Sequence, residues 1–327
     1  MSDLPHIFLS RELPPSSMAR LRAQCRLTMN PEDRALSKQE LIAGIQGVDG
    51  LLCQLTDIID DDVLAANPKL KVVSNFAVGF NNIDLASASR RKIAVTNTPG
   101  VLTDSTADMA WALMFAVARR VVEGDRFVRA GHWKGWAPLQ YLGQDISGST
   151  LGLVGLGRIG RAMIPRAKGF GMKVLYWNRT RMSADEEREL GVTYAELDEL
   201  LAHSDFVSLH VALSEATRYL IDRPQLEKMK PTAYLINTAR GPVVNEKALV
   251  SALRAQQIAG AGLDVFENEP QLEPELYELE NAVLVPHLGS ATIATRSKMG
   301  ELAVTNCLAG SAGKRPPNLV NPDYDRD

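Results

Sequence analysis

The sequence predicts an α/β protein made of two doubly wound parallel-sheet domains. Three observations carry this. The chain has 327 residues, a length that accommodates two domains with a core each. Short apolar runs alternate with helical segments along nearly all of it, as in a parallel sheet covered by helices on both faces. And residues 150–181 hold Gly155-Leu156-Gly157-Arg158-Ile159-Gly160 between an apolar strand and a helix-like segment, followed by a second apolar run at 173–177. That is G-x-G-x-x-G in the setting it needs. The first Gly permits the turn, and the second lets backbone approach a pyrophosphate. The third lets helix pack on strand, while the helix N-terminus faces the phosphate charge.

Taken in order, residues 6–9 read as the first strand, followed by a loop marked by Pro14 and Pro15. Residues 16–24 read as a helix with Ser16 or Ser17 as cap, and Ser37-x-x-Glu40 as a capping box opening a helix over 38–45. Residues 48–54, 70–76 and 93–96 are strands, and 82–90 has helical spacing. Asn97-Thr98-Pro99-Gly100 is turn chemistry and a candidate hinge. Thr103 or Asp104 then caps a helix to about Arg120, apolar nearly all round and so predicted to be buried between domains or subunits. Residues 131–145 gather Trp133, Trp136 and Tyr141 in a loop broken by Gly and Pro. We read it as an arm docked on a partner subunit, with packing inside its own chain as the plainer alternative.

Beyond the glycines, 206–209, 233–236, 260–264 and 283–285 are four further strands, with helices at 194–202, 223–229 and 246–255 between most of them. This fits two mononucleotide-binding halves. Pro165, well inside the helix after the glycines, predicts a kink. The polar tail after Pro316 is expected to be loosely held.

Composition excludes several classes. A net charge of −3 gives no electrostatic case for nucleic acid or a membrane surface as partner. Cys25, Cys53 and Cys307 are scattered, with no C-x-x-C pair and no His at ligand spacing, so structural thiols in a reducing compartment are expected and no metal. The N-terminus shows no basic segment followed by a long apolar one, and the apolar run 109–118 is too short to span a bilayer. A cytoplasmic protein is the expectation.

The ribose end of the glycine-rich unit has its own message. Where an acidic residue would accept hydrogen bonds from the adenosine ribose of NAD, the chain has Asn178, then Arg179, Thr180 and Arg181. Two guanidinium groups beside a neutral amide suit a 2′-phosphate, so NADP(H) is expected, with NAD(H) as the weaker alternative. Two merely solvated arginines are the plainer reading.

Ligands of open parallel sheets bind at the carboxyl ends of the strands. After 234–237 comes Arg240, after 262–264 come Glu267 and Glu269, and after 284–286 come His287 and Gly289. A cation, a carboxylate and an imidazole on one crest are the kit for reducing a 2-keto acid. The cation holds the carboxylate and carbonyl, the His gives a proton to the carbonyl oxygen, and a nicotinamide gives hydride. A carboxylate beside the His favours its charged form. From spacing alone His210, also after a strand, competes with His287, and Glu267 competes with Glu269.

The segments 78–84, 155–160, 237–241, 263–270 and 286–290, in this order, resemble the D-isomer-specific 2-hydroxyacid dehydrogenases over nearly the whole chain. The resemblance implies Arg240 as substrate anchor, Glu269 as the carboxylate paired to the His, and His287 as acid/base. It implies backbone N–H groups of Val78 and Gly79 on the substrate carboxylate, with Leu55 and Arg296 also on the substrate side. Asp264 and Thr238 would hold the nicotinamide end, and the cofactor set takes in Thr106, Ala212 and Gly289 as well. It further implies a flavodoxin-like substrate-binding domain, residues 1–98 with 290–327, and a Rossmann cofactor domain, 99–289. Within the family, the run 131–160 and the basic residues 177–181 look most like glyoxylate/hydroxypyruvate reductases that prefer NADPH. Asp108 stands where relatives commonly have Glu.

The expectation is therefore NADPH-dependent reduction of small 2-keto acids, glyoxylate to glycolate and hydroxypyruvate to D-glycerate, by a homodimer. The alternatives are a reductase of another keto acid such as hydroxyphenylpyruvate, and a dinucleotide-sensing, corepressor-like binding protein.

Overall fold

A computed structural model describes residues 4–325, which divide into two units, 4–102 with 292–325, and 103–291. In the first, strands β1 (His6–Leu9), β2 (Arg26–Met29), β3 (Gly50–Cys53), β4 (Val72–Asn75) and β5 (Ala94–Thr96) form a wholly parallel sheet in the order β2-β1-β3-β4-β5. This is the flavodoxin-like order. The three strands β3, β4 and β5 are buried on both faces, which is why they read as continuous apolar runs. Ile7, Leu9 and Leu52 pack toward Met299, Ala303 and Cys307 of the helix Ile293–Ser311. Phe8, Leu51 and Val73 point the other way, onto Leu41, Ile45 and Val63.

Several local expectations need correction here. Strand β2 was not foreseen, because at the sheet edge its Arg26 and Thr28 face solvent and interrupt the apolar run. The first helix, Pro15–Gln24, starts after Pro14 with no side-chain cap, and Ser17 lies buried within it. Asp84 caps the helix Leu85–Arg90, so residues 82–84 stay outside it. The short helix Asp61–Ala65 was missed. The Ser37–Glu40 capping box is present, opening Lys38–Gly44. The tail is pinned, not loose: Leu319 pairs antiparallel with Thr96, and the buried Asn321 accepts from the Val95 N–H at 2.8 Å and donates to the Ile93 carbonyl at 2.9 Å. The edge strand β5 thereby gains partners that composition does not reveal.

In the second unit, β6 (Thr150–Val154), β7 (Lys173–Trp177), β8 (Thr193–Tyr194), β9 (Phe206–Leu209), β10 (Tyr234–Asn237), β11 (Gly260–Leu263) and β12 (Ala282–Leu284) form a parallel sheet in the order β12-β11-β10-β9-β6-β7-β8. This is the Rossmann order extended by one strand, reversing direction between β6 and β9. The helix Arg158–Gly169 runs unbroken through Pro165. The helix Thr103–Ala118 buries Ala107, Trp111, Met114 and Val117 against that helix and against β10 and β11, while Met109, Phe115 and Ala116 are only partly buried and Ala112 is exposed. The chain then turns at Arg120, left-handed at φ 53°, into a second helix, Val121–Arg129, that was not foreseen and buries no residue. Among the described residues no helix is long and apolar enough to cross a membrane.

The aromatic segment packs on its own chain only at its two ends. Trp136 is 83% exposed and Leu139 81%, whereas Tyr141 stands edge-on to Phe127 and beneath the Arg120 guanidinium, His132 also meets Phe127 edge-on, and the Gln144 N–H donates to the Ala118 carbonyl at 2.9 Å.

Candidate functional site

Three neighbouring strands, β10, β11 and β12, deliver three side chains at their carboxyl ends. His287 Nδ1 lies 2.9 Å from Glu269 Oε2. An ionised carboxylate only accepts, so Nδ1 carries the proton, and Nε2 is left without a partner among the described residues. His287 itself is held left-handed at φ 54°, directly after Pro286, with its N–H on the Val285 carbonyl at 3.0 Å. Such a conformation costs about 1–3 kcal/mol for a non-glycine residue and persists only where surroundings fix it. The fixing group is Asp264, whose carboxylate accepts from the N–H of Leu288 and, at 2.8 Å, from that of Gly289. The hydroxyls of Ser105 and Thr106 hold the Gly289 carbonyl in turn.

Electrostatics at the site follow from burial and neighbours. Burial pushes the Glu269 carboxyl up, but the bond and charge of His287, the Phe266 N–H at 3.0 Å and the Arg240 charge together bring it below its ordinary range. Burial pushes Asp264 up, only partly offset by its backbone donors. Arg240 is lowered by burial and raised by Glu269; its Nη1 donates to the Ala239 carbonyl at 2.7 Å, and the Asn237 amide holds both Ala239 N–H and the Arg240 carbonyl. A side chain on Gly241 would strike the Phe266 carbonyl at 1.8 Å, so only glycine lets the Arg240 turn close on the Glu269 loop.

Both competitors are occupied elsewhere. Glu267 accepts from the Tyr219 hydroxyl and the Glu246 N–H, with Arg218 3.7 Å away. His210 Nε2 meets Ser208 Oγ at 2.9 Å, and burial pushes its pKa down to about 4, so at neutral pH the ring is uncharged and lacks the imidazolium form of a general acid.

The residues present fit a dinucleotide. Gly157 opens the helix Arg158–Gly169 with no side-chain cap, and the first intrahelical bond is Arg161 N–H to the Gly157 carbonyl at 2.9 Å. The N–H groups of Arg158, Ile159 and Gly160 therefore lack partners one turn back, the condition for anion binding. Gly155 is left-handed at φ 97°, and a Cβ there would come within 2.8 Å of the Val211 nitrogen. Thr238 Oγ1 is buried with no partner among the described residues, an orphan a ligand would satisfy. Ala212 follows β9 on the same crest and accepts from Thr217 Oγ1 at 2.7 Å. At the ribose end Asn178 Oδ1 accepts from the Leu156 N–H at 2.7 Å, while Arg179 and Thr180 are exposed.

Arg181 corrects the expectation of two arginines turned to one phosphate. Its guanidinium grips Glu187 through bonds of 2.7 and 2.9 Å and lies over the Tyr194 ring. Glu187 also accepts from Tyr176 and, held by Arg181 first, is lowered to about 2. Arg179 has no ion pair among the described residues.

Leu55, Val78, Gly79 and Arg296 belong to the first unit. There the carbonyls of Val78 and Gly79 are tied to the Asn97 and Asn75 amides, and their N–H groups donate to nothing among the described residues. Arg296 lies 6.0 Å from the centre of the Phe76 ring. Sequence reasoning missed the part Asp264 plays under the His287 turn; two backbone donors 24 and 25 residues away leave no local pattern. No group of three or more His, Cys, Asp or Glu among the described residues could hold a metal.

Residues 111–289 match the family described as D-isomer specific 2-hydroxyacid dehydrogenase, NAD binding domain. Over 322 residues, 98% of this chain and 96% of its relative, the sequence is 51% identical to a glyoxylate reductase of Korarchaeum cryptofilum. A crystal structure of a protein from Thermus thermophilus superposes with a TM-score of 0.89 at 46% identity, covering 96% of this chain and 99% of that one. An NADPH-dependent glyoxylate/hydroxypyruvate reductase of Sinorhizobium meliloti, solved with NADP and malonate, gives a TM-score of 0.87 at 33% identity over 97% of this chain and 98% of its own.

Proposed function

This chain belongs to the D-isomer specific 2-hydroxyacid dehydrogenase family, and from that premise we propose that it is an NADPH-preferring reductase of small 2-keto acids, taking glyoxylate to glycolate and hydroxypyruvate to D-glycerate. The observation that carries the reading is the Glu269–His287 pair, with Arg240 on the neighbouring strand end. The nicotinamide, when bound, supplies the hydride. The protein's own part is to orient the keto acid and deliver a proton. His287 donates from Nε2 to the carbonyl oxygen, and Glu269 steadies the imidazolium through Nδ1. Arg240 anchors the substrate, and the first unit, as substrate-binding domain, contributes Leu55, the N–H groups of Val78 and Gly79, and Arg296. Glycolate formed in equal amount to NADPH oxidised, when the protein is mixed with glyoxylate, is the expected result. No 2-hydroxy acid formed from any 2-keto acid would overturn the reading.

The preference for NADPH rests on Asn178 in place of a carboxylate and on the unpaired cation of Arg179; a relative at 33% identity is solved with NADP. Charge-assisted bonds contribute about 1.5–3 kcal/mol, or roughly 10- to 150-fold. Arg179→Ala should therefore weaken NADPH by about that factor and leave NADH nearly unchanged. Arg181→Ala should mainly loosen the Glu187 contact and lower the melting temperature. Dissociation constants for both cofactors check the pair, and an unchanged NADPH affinity in Arg179→Ala would remove that residue from the phosphate site.

A homodimer is part of the proposal. Val121 and Val128 of the unburied helix, with Trp133, Trp136, Leu139 and Leu142, form an exposed apolar stretch that a second copy would cover. The parent should sediment at twice the chain mass, and Trp136→Ser with Leu139→Ser should shift it toward monomer. A monomeric parent would contradict this. All three cysteines are free and buried, in keeping with the reducing compartment that the proposed cytoplasmic location supplies.

The Glu269 carboxyl also predicts a pH effect. Its folded pKa lies below the ordinary value, so the stability it contributes is complete above about 4.3 and is lost as pH falls through the folded value. Thermal melts between pH 7 and pH 3 should show the parent losing more stability on acidification than Glu269→Gln. Parallel losses would show that the pair contributes nothing to stability.

A further inference from the structure

Two buried polar side-chain atoms of the second unit lack partners among the described residues and stand on neighbouring strands, His210 Nδ1 beyond β9 and Thr238 Oγ1 beyond β10. The register pairs Leu209 with Asn237, so the next residues, His210 and Thr238, come side by side. On the other flank Leu209 pairs with Val154 of β6, which brings Gly155 alongside His210. A Cβ on Gly155 would lie 2.9 Å from the His210 carbonyl carbon, so the first glycine of the phosphate loop rests on the His210 backbone. This is the reversal point of the strand order, the crevice in which doubly wound sheets hold their ligands.

The unpartnered nitrogen can be assigned as a donor. Ser208 is fully buried and its hydroxyl has no partner other than His210 Nε2 at 2.9 Å among the described residues. A donating hydroxyl leaves only Nδ1 unpaired, whereas an accepting one would leave both its own proton and Nδ1 unpaired, so the arrangement with fewer orphans has the hydroxyl donating to Nε2. Burial keeps the ring neutral, with its pKa down at about 4, and a neutral ring whose Nε2 accepts carries its one proton on Nδ1. A buried N–H with nothing to donate to is destabilising and rare in folded proteins.

We propose that His210 is a cofactor-binding residue whose Nδ1–H donates to a ribose or phosphate oxygen of the dinucleotide, beside the first glycine of the phosphate loop. The inference rests on the dinucleotide reading of this unit and adds a residue that neither the glycine motif nor the Arg240–Glu269–His287 group includes. Ser208 sets the tautomer, and Thr238 offers the adjacent hydroxyl.

Titration of the whole protein with NADPH, NADH and 2′-phospho-ADP-ribose tests it in the parent and in His210→Ala, His210→Gln and His210→Asn. An amide nitrogen in Asn stands near the position of Nδ1, and in Gln near that of Nε2. The loss of one neutral donor bond is expected to raise the dissociation constants about 3- to 10-fold in Ala and Gln, and by less than about twofold in Asn. Equal affinity in Ala and parent would overturn the proposal and give the donor to a buried water. An effect on NADPH and NADH with none on 2′-phospho-ADP-ribose would place the acceptor on the nicotinamide, contrary to the proposal. A parent that binds none of the three would instead defeat the dinucleotide reading itself. A measurement on the unaltered protein guards against misfolded variants: with 15N-labelled histidine, the His210 ring should show the neutral Nδ1–H form and its Nδ1 resonance should move on adding NADPH. An Nε2–H tautomer, or a resonance that stays still at saturation, would overturn the proposal.

Discussion

Replacing His287 with alanine is expected to lower kcat for keto-acid reduction by about 10²- to 10⁴-fold while leaving the cofactor dissociation constant nearly unchanged. That range is the ordinary contribution of a positioned general acid and equals about 3–5 kcal/mol of barrier. The separation of the two effects follows from the geometry. His287 stands beyond β12 on the Glu269 carboxylate, whereas the glycines, Asn178 and Arg179 follow β6 and β7. No second imidazole can substitute, since His210 is neutral and committed to Ser208. Single-turnover rates with saturating NADPH, paired with a fluorescence titration, check this. A rate within tenfold of the parent would mean that another group supplies the proton.

Arg240→Ala should produce the second large effect, a fall in kcat/KM of roughly 30- to 5,000-fold. Truncating one member of a buried charged pair costs about 2–5 kcal/mol, and the substrate's carboxylate would lose its partner. There is a second consequence. Arg240 is one of the groups that hold Glu269 low, so its removal lets that carboxyl rise toward its ordinary value. Arg240→Lys should recover only part of the loss, because a point charge on a flexible stem cannot reproduce the planar fork. Steady-state kinetics on glyoxylate resolve the three proteins. Equal specificity constants for Ala and parent would remove Arg240 from the substrate site.

Much of this architecture is legible in the sequence because each parallel strand is a short apolar run and each functional residue follows one. The glycine-rich turn, the capping box at Ser37 and the crest positions of Arg240, Glu269 and His287 all arise from local chemistry. What stayed hidden depends on distant partners. Strand β2 owes its place to pairing with β1, not to its own half-polar residues. Glu267 and Glu269 are equivalent by spacing; Tyr219, 48 residues earlier, is what engages the first and leaves the second to His287. Arg181 resembles Arg179 in the sequence, yet the helix Ala184–Leu190 turns Glu187 back onto it and takes it out of the unpaired set. Asn321 secures the tail through backbone groups of residues 93 and 95, a contact no periodicity encodes.

The most direct test of the account is the pair of specificity constants for glyoxylate with NADPH and with NADH, measured on one preparation. Glyoxylate reduction with NADPH favoured by tenfold or more is the predicted result. Equal constants, or a preference for NADH, would contradict it.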